Sequence, residues 1–298
     1  MEKILDMKKI VLIAFAGLFS LMMLSTSCDK VEPPYMNTGG GGVVGDTVRK
    51  VLLEDFTGHK CVNCAAAHAT IEGLQIIYPE RIVPVIIHAG FFAKPYPTTP
   101  YDYDFRTTEG TTIGDFFGAT GSTPLPKGMV NRINNGGYLL DPAAYPTAVS
   151  LVLDSMDKMP DIYIELQPAY NSTDSTISVD AKMTVLKDMP AGKYNISIVV
   201  VESNIIEPQR NTNPNINNGQ DIPDYKHNDV LRGAINTTWG VEFADAALTT
   251  GQVYTKAYTN YKIGKDWKPD DLKIVAFVYH ADGPKDKEVI QAEEAHLK

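Results

Sequence analysis

Two cysteines separated by two residues, Cys61 and Cys64, carry the plainest chemistry in this 298-residue chain. Such a pair can close a small disulfide ring without bending the backbone. The thiolate, not the thiol, is the attacking species. A free cysteine titrates near pH ~8.5 and falls by about one to several units at a helix N-terminus or beside a cation. The residues after Cys61 read as the start of a helix, whose positive end favours a thiolate. His59 and Lys60 stand directly before it and add to that field. Cys61 is therefore the expected nucleophile. Cys64 is the expected resolving thiol, more buried and less acidic.

Other residues offer weaker chemistry. Cys61, Cys64 and His68 lie at i, i+3 and i+7 on one helix face with His59 close by, which imitates a Cys2His2 metal set. The spacing is not that of paired zinc knuckles, and an oxidised pair binds no metal, so no metal is expected. His227, Asn228 and Arg232 read as a polar cluster at a strand edge. Asp270 and Asp271 with the Asn-rich stretch lack the ligand spacing of an EF-hand. No cofactor is expected.

The elements that must position the cysteines follow from periodicity. Val48 to Phe56 reads as a buried strand, closed by the turn signal Thr57-Gly58. Ala67, Ile71, Leu74 and Tyr78 repeat at the helical period until Pro79 stops them. Arg81 to His88 is a second strand, with Pro84 placing its early part at an edge or bulge. Strand, helix, strand suggests a βαβ unit with a parallel pair. An aromatic, proline-broken insertion runs from Phe91 to Arg106, its rings covering the core or lining a groove. A helix over 107–117, a strand over 128–133, the hairpin signal Asn134-Asn135-Gly136-Gly137 and a helix opened by Asp141-Pro142 complete this half.

Beyond Met159-Pro160 the period becomes two. Ile162, Ile164 and Leu166 alternate, as do Ile177, Val179, Ala181, Met183 and Val185, then Ile196, Ile198 and Val200, then Ile274, Ala276 and Val278, and Val289 to Leu297 adds a last strand. Little helix and several alternating strands argue an antiparallel β-sandwich. Residues 204–226, rich in Asn, read as a long loop. The expected organisation is a targeting segment over 1–27, an anchor and Gly/Pro tether over 28–46, an α/β domain over 47–160 and a β-sandwich over 161–298.

The N-terminus carries Lys3, Lys8 and Lys9 ahead of an apolar run, Ile10 to Leu24, too short for a stable membrane span. It ends in Leu24-Ser25-Thr26-Ser27-Cys28, which resembles a bacterial lipobox. The resemblance implies cleavage before Cys28 and acylation of that residue, and two or three acyl chains anchor stably. Export implies an oxidising compartment. With Cys28 lipidated, Cys61 and Cys64 can pair only with each other or with another molecule. A multi-disulfide scaffold and a four-cysteine zinc site are excluded. The net charge of −9 argues against a nucleic-acid partner, which would need a basic face.

Asp55-Phe56, followed after four residues by Cys61-Val62-Asn63-Cys64, resembles the thioredoxin active-site segment. That resemblance implies that Asp55 is buried beneath the site and relays a proton for the resolving thiol. It also implies a cis-proline facing the disulfide, with Pro126 the first candidate and Pro124 the second. The chain departs from the pattern in Lys60, where a Trp is usual, in Val62-Asn63, where Gly-Pro is usual, and in the aromatic insertion.

A wider resemblance covers nearly all of the expected mature chain. Leu53-Glu54-Asp55-Phe56-Thr57-Gly58 with the cysteine pair, Pro126-Lys127-Gly128-Met129-Val130-Asn131-Arg132, His227-Asn228-Asp229-Val230-Leu231-Arg232 and Val275-Ala276-Phe277-Val278-Tyr279 resemble the 28-kDa outer-membrane protein family of Gram-negative bacteria. It implies an outer-membrane lipoprotein, on the periplasmic or the cell-surface face, with a thioredoxin-like domain followed by an immunoglobulin-like β-sandwich. Two functional readings follow. One is thiol–disulfide exchange on exported proteins by Cys61, Cys64, Asp55 and Pro126. The other is a non-enzymatic accessory lipoprotein of a surface nutrient-uptake or adhesion complex. Asp46-Thr47-Val48, Asp154-Ser155-Met156 and Asp174-Ser175-Thr176 look like an O-glycosylation motif known in some of these bacteria.

Overall fold

The computed structural model describes residues 47–298. The signal segment, Cys28 and the tether expected over 29–46 lie outside the described residues. In chain order the strands are β1 (Val51–Thr57), β2 (Ile82–His88), β3 (Lys127–Val130), β4 (Ile162–Asn171), β5 (Thr176–Val185), β6 (Lys193–Glu202), β7 (Ile205–Gln209), β8 (Ile222–His227), β9 (Val230–Ala234), β10 (Val241–Asp245), β11 (Val253–Lys262), β12 (Leu272–His280) and β13 (Val289–His296). The helices are α1 (Cys64–Ile77), the single turn α2 (Gly90–Ala93), α3 (Thr108–Phe117) and α4 (Tyr145–Leu153). The fold is mixed α/β, dominated by strands.

One eight-stranded sheet runs β13-β12-β6-β9-β2-β1-β3, with β10 paired to the first half of β6. The pair β1 and β2 is parallel, Val51 opposite Ile82 through Thr57 opposite His88, with α1 as the crossover. The strands before residue 160 and half of those after it (β6, β9, β10, β12 and β13) therefore share a sheet, and residues 47–298 form one compact unit. The join is narrow. β2 meets β9 only at Ile86 and Val230, beyond Pro84. Pro84, opposite Leu53 of β1, lies in the early part of β2, which has no partner on its other side, as the sequence predicts. It is tolerated there because pairing on its other side begins only after it.

Period two on both faces explains why the central strands are apolar without interruption. Leu52 and Phe56 of β1, Val83, Val85 and Ile87 of β2, Val199 and Val201 of β6, and Val275 and Phe277 of β12 point to one face, where Ile113 and Phe117 of α3 cover them. The alternate residues point to the other face, which has two covers. Over β1 to β3 it is Ile71 and Leu74 of α1 with Tyr145, Val149 and Val152 of α4. Over β6 and β12 it is a three-stranded antiparallel sheet, β11-β5-β4, whose Ile162, Ile164, Val179, Ala181 and Met183 meet Ile196, Ile198, Ile274 and Ala276. Two sheets thus face each other in the second half, and the larger one continues into the first.

Two further expectations change. Residues 204–226 are not a structureless loop. They form the two-stranded hairpin β7–β8, with Ile205 opposite His227. The strand expected over 128–133 stops at Val130, because Asn131 and Arg132 turn to positive φ, 48° and 51°. After the turn at 134–137, one bridge, Gly128 to Leu140, brings the chain back against it.

Candidate functional site

Cys61 and Cys64 form a disulfide with Cα atoms 5.5 Å apart. Cys64 is the first residue of α1, and Cys61 stands three residues ahead of it in a turn closed by the Cys61 N–H donating to the Gly58 carbonyl, 2.9 Å. Gly58 is required at this point. A Cβ there would overlap the backbone of Phe92, which lies across the turn and accepts from the Lys60 N–H, 3.2 Å. Both cysteines are buried, Cys61 at 2% and Cys64 at 0% exposure. Cys61 Sγ approaches the Leu125 carbonyl at 3.5 Å, and the Leu125–Pro126 peptide is cis. Pro126 therefore stands beside the disulfide.

Asp55 is fully buried on β1. Its Oδ1 accepts the Tyr145 hydroxyl of α4 at 2.6 Å. Its Oδ2 faces His68 Nε2 at 3.5 Å and has no hydrogen-bond partner among the described residues. His68 follows Cys64 by four residues on α1, so the two share a helix face. Its Nε2 also contacts Thr57 Oγ1 at 3.1 Å, and its Nδ1 contacts the Tyr225 hydroxyl at 2.9 Å. Burial pushes the Tyr225 and Tyr145 hydroxyls far above the usual range, so both stay protonated. His68 and Tyr225 line a surface cavity of about 230 Å³ together with Glu72, Asp229 and Lys273. A chain of polar groups thus leads from buried Asp55 to solvent.

The hairpin β7–β8 lies across the cysteine turn. The Gln209 side-chain amide donates to the Cys61 carbonyl at 2.8 Å and to the Gly58 carbonyl at 3.4 Å. The Arg210 N–H donates to the His59 carbonyl and the Thr212 N–H to the Val62 carbonyl. Beneath the hairpin, His227 and His88 pack around Phe105, which also touches His59. Burial drives these imidazoles toward the neutral form. His59 falls to about 4, His227 to about 3, and His88 well below its ordinary value. His59 consequently brings no charge to Cys61 near neutral pH, contrary to the sequence expectation. The Lys60 amine points away under the rings of Tyr96 and Phe91, 4.2 and 5.1 Å from their centres.

The structure places Pro126 beside the disulfide through the Leu125 carbonyl, and Asp55 beside His68 of α1, the helix that Cys64 opens. Sequence reading weighed His68 only as a metal ligand. Among the described residues no set of three His, Cys, Asp or Glu is placed to hold a metal ion, and His68 instead serves Asp55. Tyr145, Tyr225 and Gln209 carried no sequence signal beyond being polar in apolar or Asn-rich surroundings. His227 belongs to the buried ring cluster. Arg232 instead pairs with Glu202 and Asp266, at 3.1 and 3.3 Å.

The model of the family described as outer membrane protein Omp28 matches residues 113–298. The chain belongs to the Omp28 outer-membrane protein family. Membership puts it at the outer membrane, and no helix among the described residues is long and apolar enough to cross a membrane. The matched region holds Pro126, Tyr145, Gln209, Tyr225 and His227, and leaves Asp55, Cys61, Cys64 and His68 outside. Among solved structures the chain is similar to HBP35 of Porphyromonas gingivalis, with 17% identity and a TM-score of 0.62 over 85% of this chain and 76% of that one. It is also similar to protein AGR_C_4864 of Agrobacterium tumefaciens, with 9% identity and a TM-score of 0.50 over 85% and 96%. A domain of the outer membrane lipoprotein Omp28 of Porphyromonas gingivalis matches at 22% identity over 48% of this chain and 93% of that one, with a TM-score of 0.28. The first two likenesses concern the fold alone. Comparison with curated proteins finds no match.

Proposed function

We propose that residues 47–160 work as a thioredoxin-like unit, held at the outer membrane through acylated Cys28, that exchanges disulfides with exported proteins. The observation that carries this reading is the cis Leu125–Pro126 peptide against the disulfide, with a buried carboxylate, Asp55, that has an unpartnered oxygen facing His68, one turn beyond Cys64 on α1. In the oxidised form a partner thiolate attacks Cys61 Sγ. A partner–Cys61 disulfide forms, the Cys61–Cys64 bond breaks, and Cys64 leaves as a thiolate. Asp55 and His68 supply its proton, and Tyr225 connects them to the surface cavity. A second partner thiolate then attacks the partner sulfur of the mixed disulfide and releases Cys61. The partner ends oxidised by two electrons, and the Cys61–Cys64 pair ends reduced by two.

A second reading has an observation of its own. The hairpin hydrogen bonds to Gly58, His59, Cys61 and Val62 cover the disulfide, which suits a structural bridge in a non-enzymatic accessory lipoprotein with the β-sheet half as its contact surface. The reduction potential of the Cys61–Cys64 pair separates the two. A value above about −270 mV supports exchange, and one below about −300 mV supports a structural bridge. Cys64→Ser expressed in cells at native level should trap a mixed disulfide with an exported protein if exchange is the function. Failure to trap one, together with a low potential, would sink that reading.

A further inference from the structure

The insertion and the hairpin enclose a cavity beside the cysteine turn that the proposed exchange does not use. It measures about 390 Å³ and is walled by Phe91, Phe92, Tyr96 and Tyr101, with Lys60 and Arg210 as its charged members. That volume lies in the range of small-ligand sites, ~300–1,000 Å³. Lys60 is only 8% exposed, yet its Nζ has no hydrogen-bond partner among the described residues. The faces of Tyr96 and Phe91 replace part of the water it has lost. They offer no acceptor, and a buried charge without one is costly. Burial and the neighbouring Lys94, Arg106 and Arg210 all push its ammonium down from the ordinary lysine value.

Two of the acids nearby are already engaged. Asp104 holds Arg106 through two contacts of 2.8 Å. Asp221 accepts the Tyr101 hydroxyl at 2.7 Å and sits 3.9 Å from Arg210. The cavity is therefore locally basic in a chain of net charge −9. Its aromatic wall is open to solvent, with Phe91 63% and Tyr96 52% exposed.

We propose that this cavity binds a carboxylate carried on an apolar body, the carboxylate meeting Lys60 and Arg210 and the body lying against Phe91 and Tyr96. An anion supplies the acceptor that Lys60 lacks, and the apolar body covers rings that otherwise face water. A free organic acid and a peptide ending in an aromatic residue share this chemistry. The proposal does not depend on disulfide exchange, because no cysteine takes part in it.

Calorimetric titration of the full-length, detergent-solubilised protein tests it. The probes are 3-phenylpropionate, 3-phenylpropanol, 3-phenylpropylamine and the tripeptide Gly-Gly-Phe with free or amidated C-terminus. The expected result is saturable binding of 3-phenylpropionate below about 10 mM, at least about tenfold weaker binding of the alcohol and none of the amine. Binding should weaken with added salt. Lys60→Met should cost at least about tenfold, and Phe91→Ser, at an exposed position, should weaken binding while leaving the fold intact. Tighter binding of the free-ended tripeptide than of 3-phenylpropionate assigns the site to a polypeptide terminus, and the reverse order assigns it to a free acid. Equal binding of acid and alcohol, or no binding of any carboxylate, overturns the proposal. So does unchanged affinity in both variants.

Discussion

Glu54 and Asp55 are consecutive residues of β1, both buried, and they live in opposite surroundings. Alternation along a strand sends them to opposite faces of the sheet. Glu54 is met by Arg132, whose Nε and Nη2 donate to its two oxygens at 2.6 and 2.7 Å. The guanidinium is itself packed by Phe277 and Phe117, 4.8 and 5.4 Å from their ring centres. Both carboxylate oxygens are satisfied. Asp55 has one oxygen bonded to Tyr145 and the other only facing His68. A planar fork matched to a carboxylate fixes structure. Asp55 keeps one oxygen without a hydrogen-bond partner, beside His68, which with Tyr225 lines a cavity. Two adjacent acids thus contrast a fully satisfied ion pair with a half-satisfied carboxylate, and it is the second to which we propose a chemical role.

The largest test of that contrast is to break the satisfied pair. Arg132→Met leaves the Glu54 charge buried alone and should cost about 3–5 kcal/mol in urea unfolding. Asp55→Asn removes no matched partner and should cost about 1 kcal/mol, while slowing the reduction of the disulfide by a dithiol at neutral pH. Equal destabilisation by the two variants would erase the distinction.

Acid should loosen the cysteine side before the Glu54 side. His59 and His227 titrate near 6.5 when unfolded and near about 4 and about 3 when folded. Between those values the unfolded chain binds more protons, so stability rises with pH. Stability is therefore full above about 6.5, and it falls as pH drops toward about 4 and then about 3. The loss is on the order of 3 kcal/mol per histidine. Hydrogen exchange as a function of pH should show the hairpin β7–β8 opening first, and His227→Phe should flatten the dependence.

Replacing Cys61 and Cys64 together by Ala opens only a four-residue loop. The loss of loop entropy should be about 2 kcal/mol, smaller than that for Arg132→Met. A greater loss would mean that the bridge is a structural staple. Gln209→Ala should have a small effect on stability, about 1 kcal/mol, the same as Asp55→Asn. It should nonetheless speed reduction of the disulfide by removing the amide that ties the hairpin to the Cys61 carbonyl. Unchanged reduction kinetics would show that the hairpin does not restrict access.

Much of the fold was legible because its signals are local. The cysteine spacing, the Thr57-Gly58 turn, the helical period from Ala67 to Leu74 and the period-two runs after residue 160 each depend on neighbours within a few positions. The hairpin at 204–226 was missed because its strands carry few apolar residues and its Asn content imitates a loop. Its strands are held by the cysteine turn and the buried histidines, and no local pattern encodes that. Pro84 marks the unpaired early part of β2, but the sequence does not show that β9 joins the strand two residues later.

The sequence by itself determined the cysteine spacing, the βαβ order around it, the family and the outer-membrane destination, since these rest on residue types within short segments; that the two cysteines bond to each other is seen in the structure. Tertiary structure alone decided what surrounds the pair. Asp55 meets Tyr145 from 90 positions away, His68 meets Tyr225 from 157, and the Cys61 carbonyl meets Gln209 from 148. It also decided that β6, β9, β12 and β13 extend the sheet begun by β1 to β3. A strand apolar on both faces reports that it is covered twice, but the identity of each cover is set by packing between segments far apart in the chain.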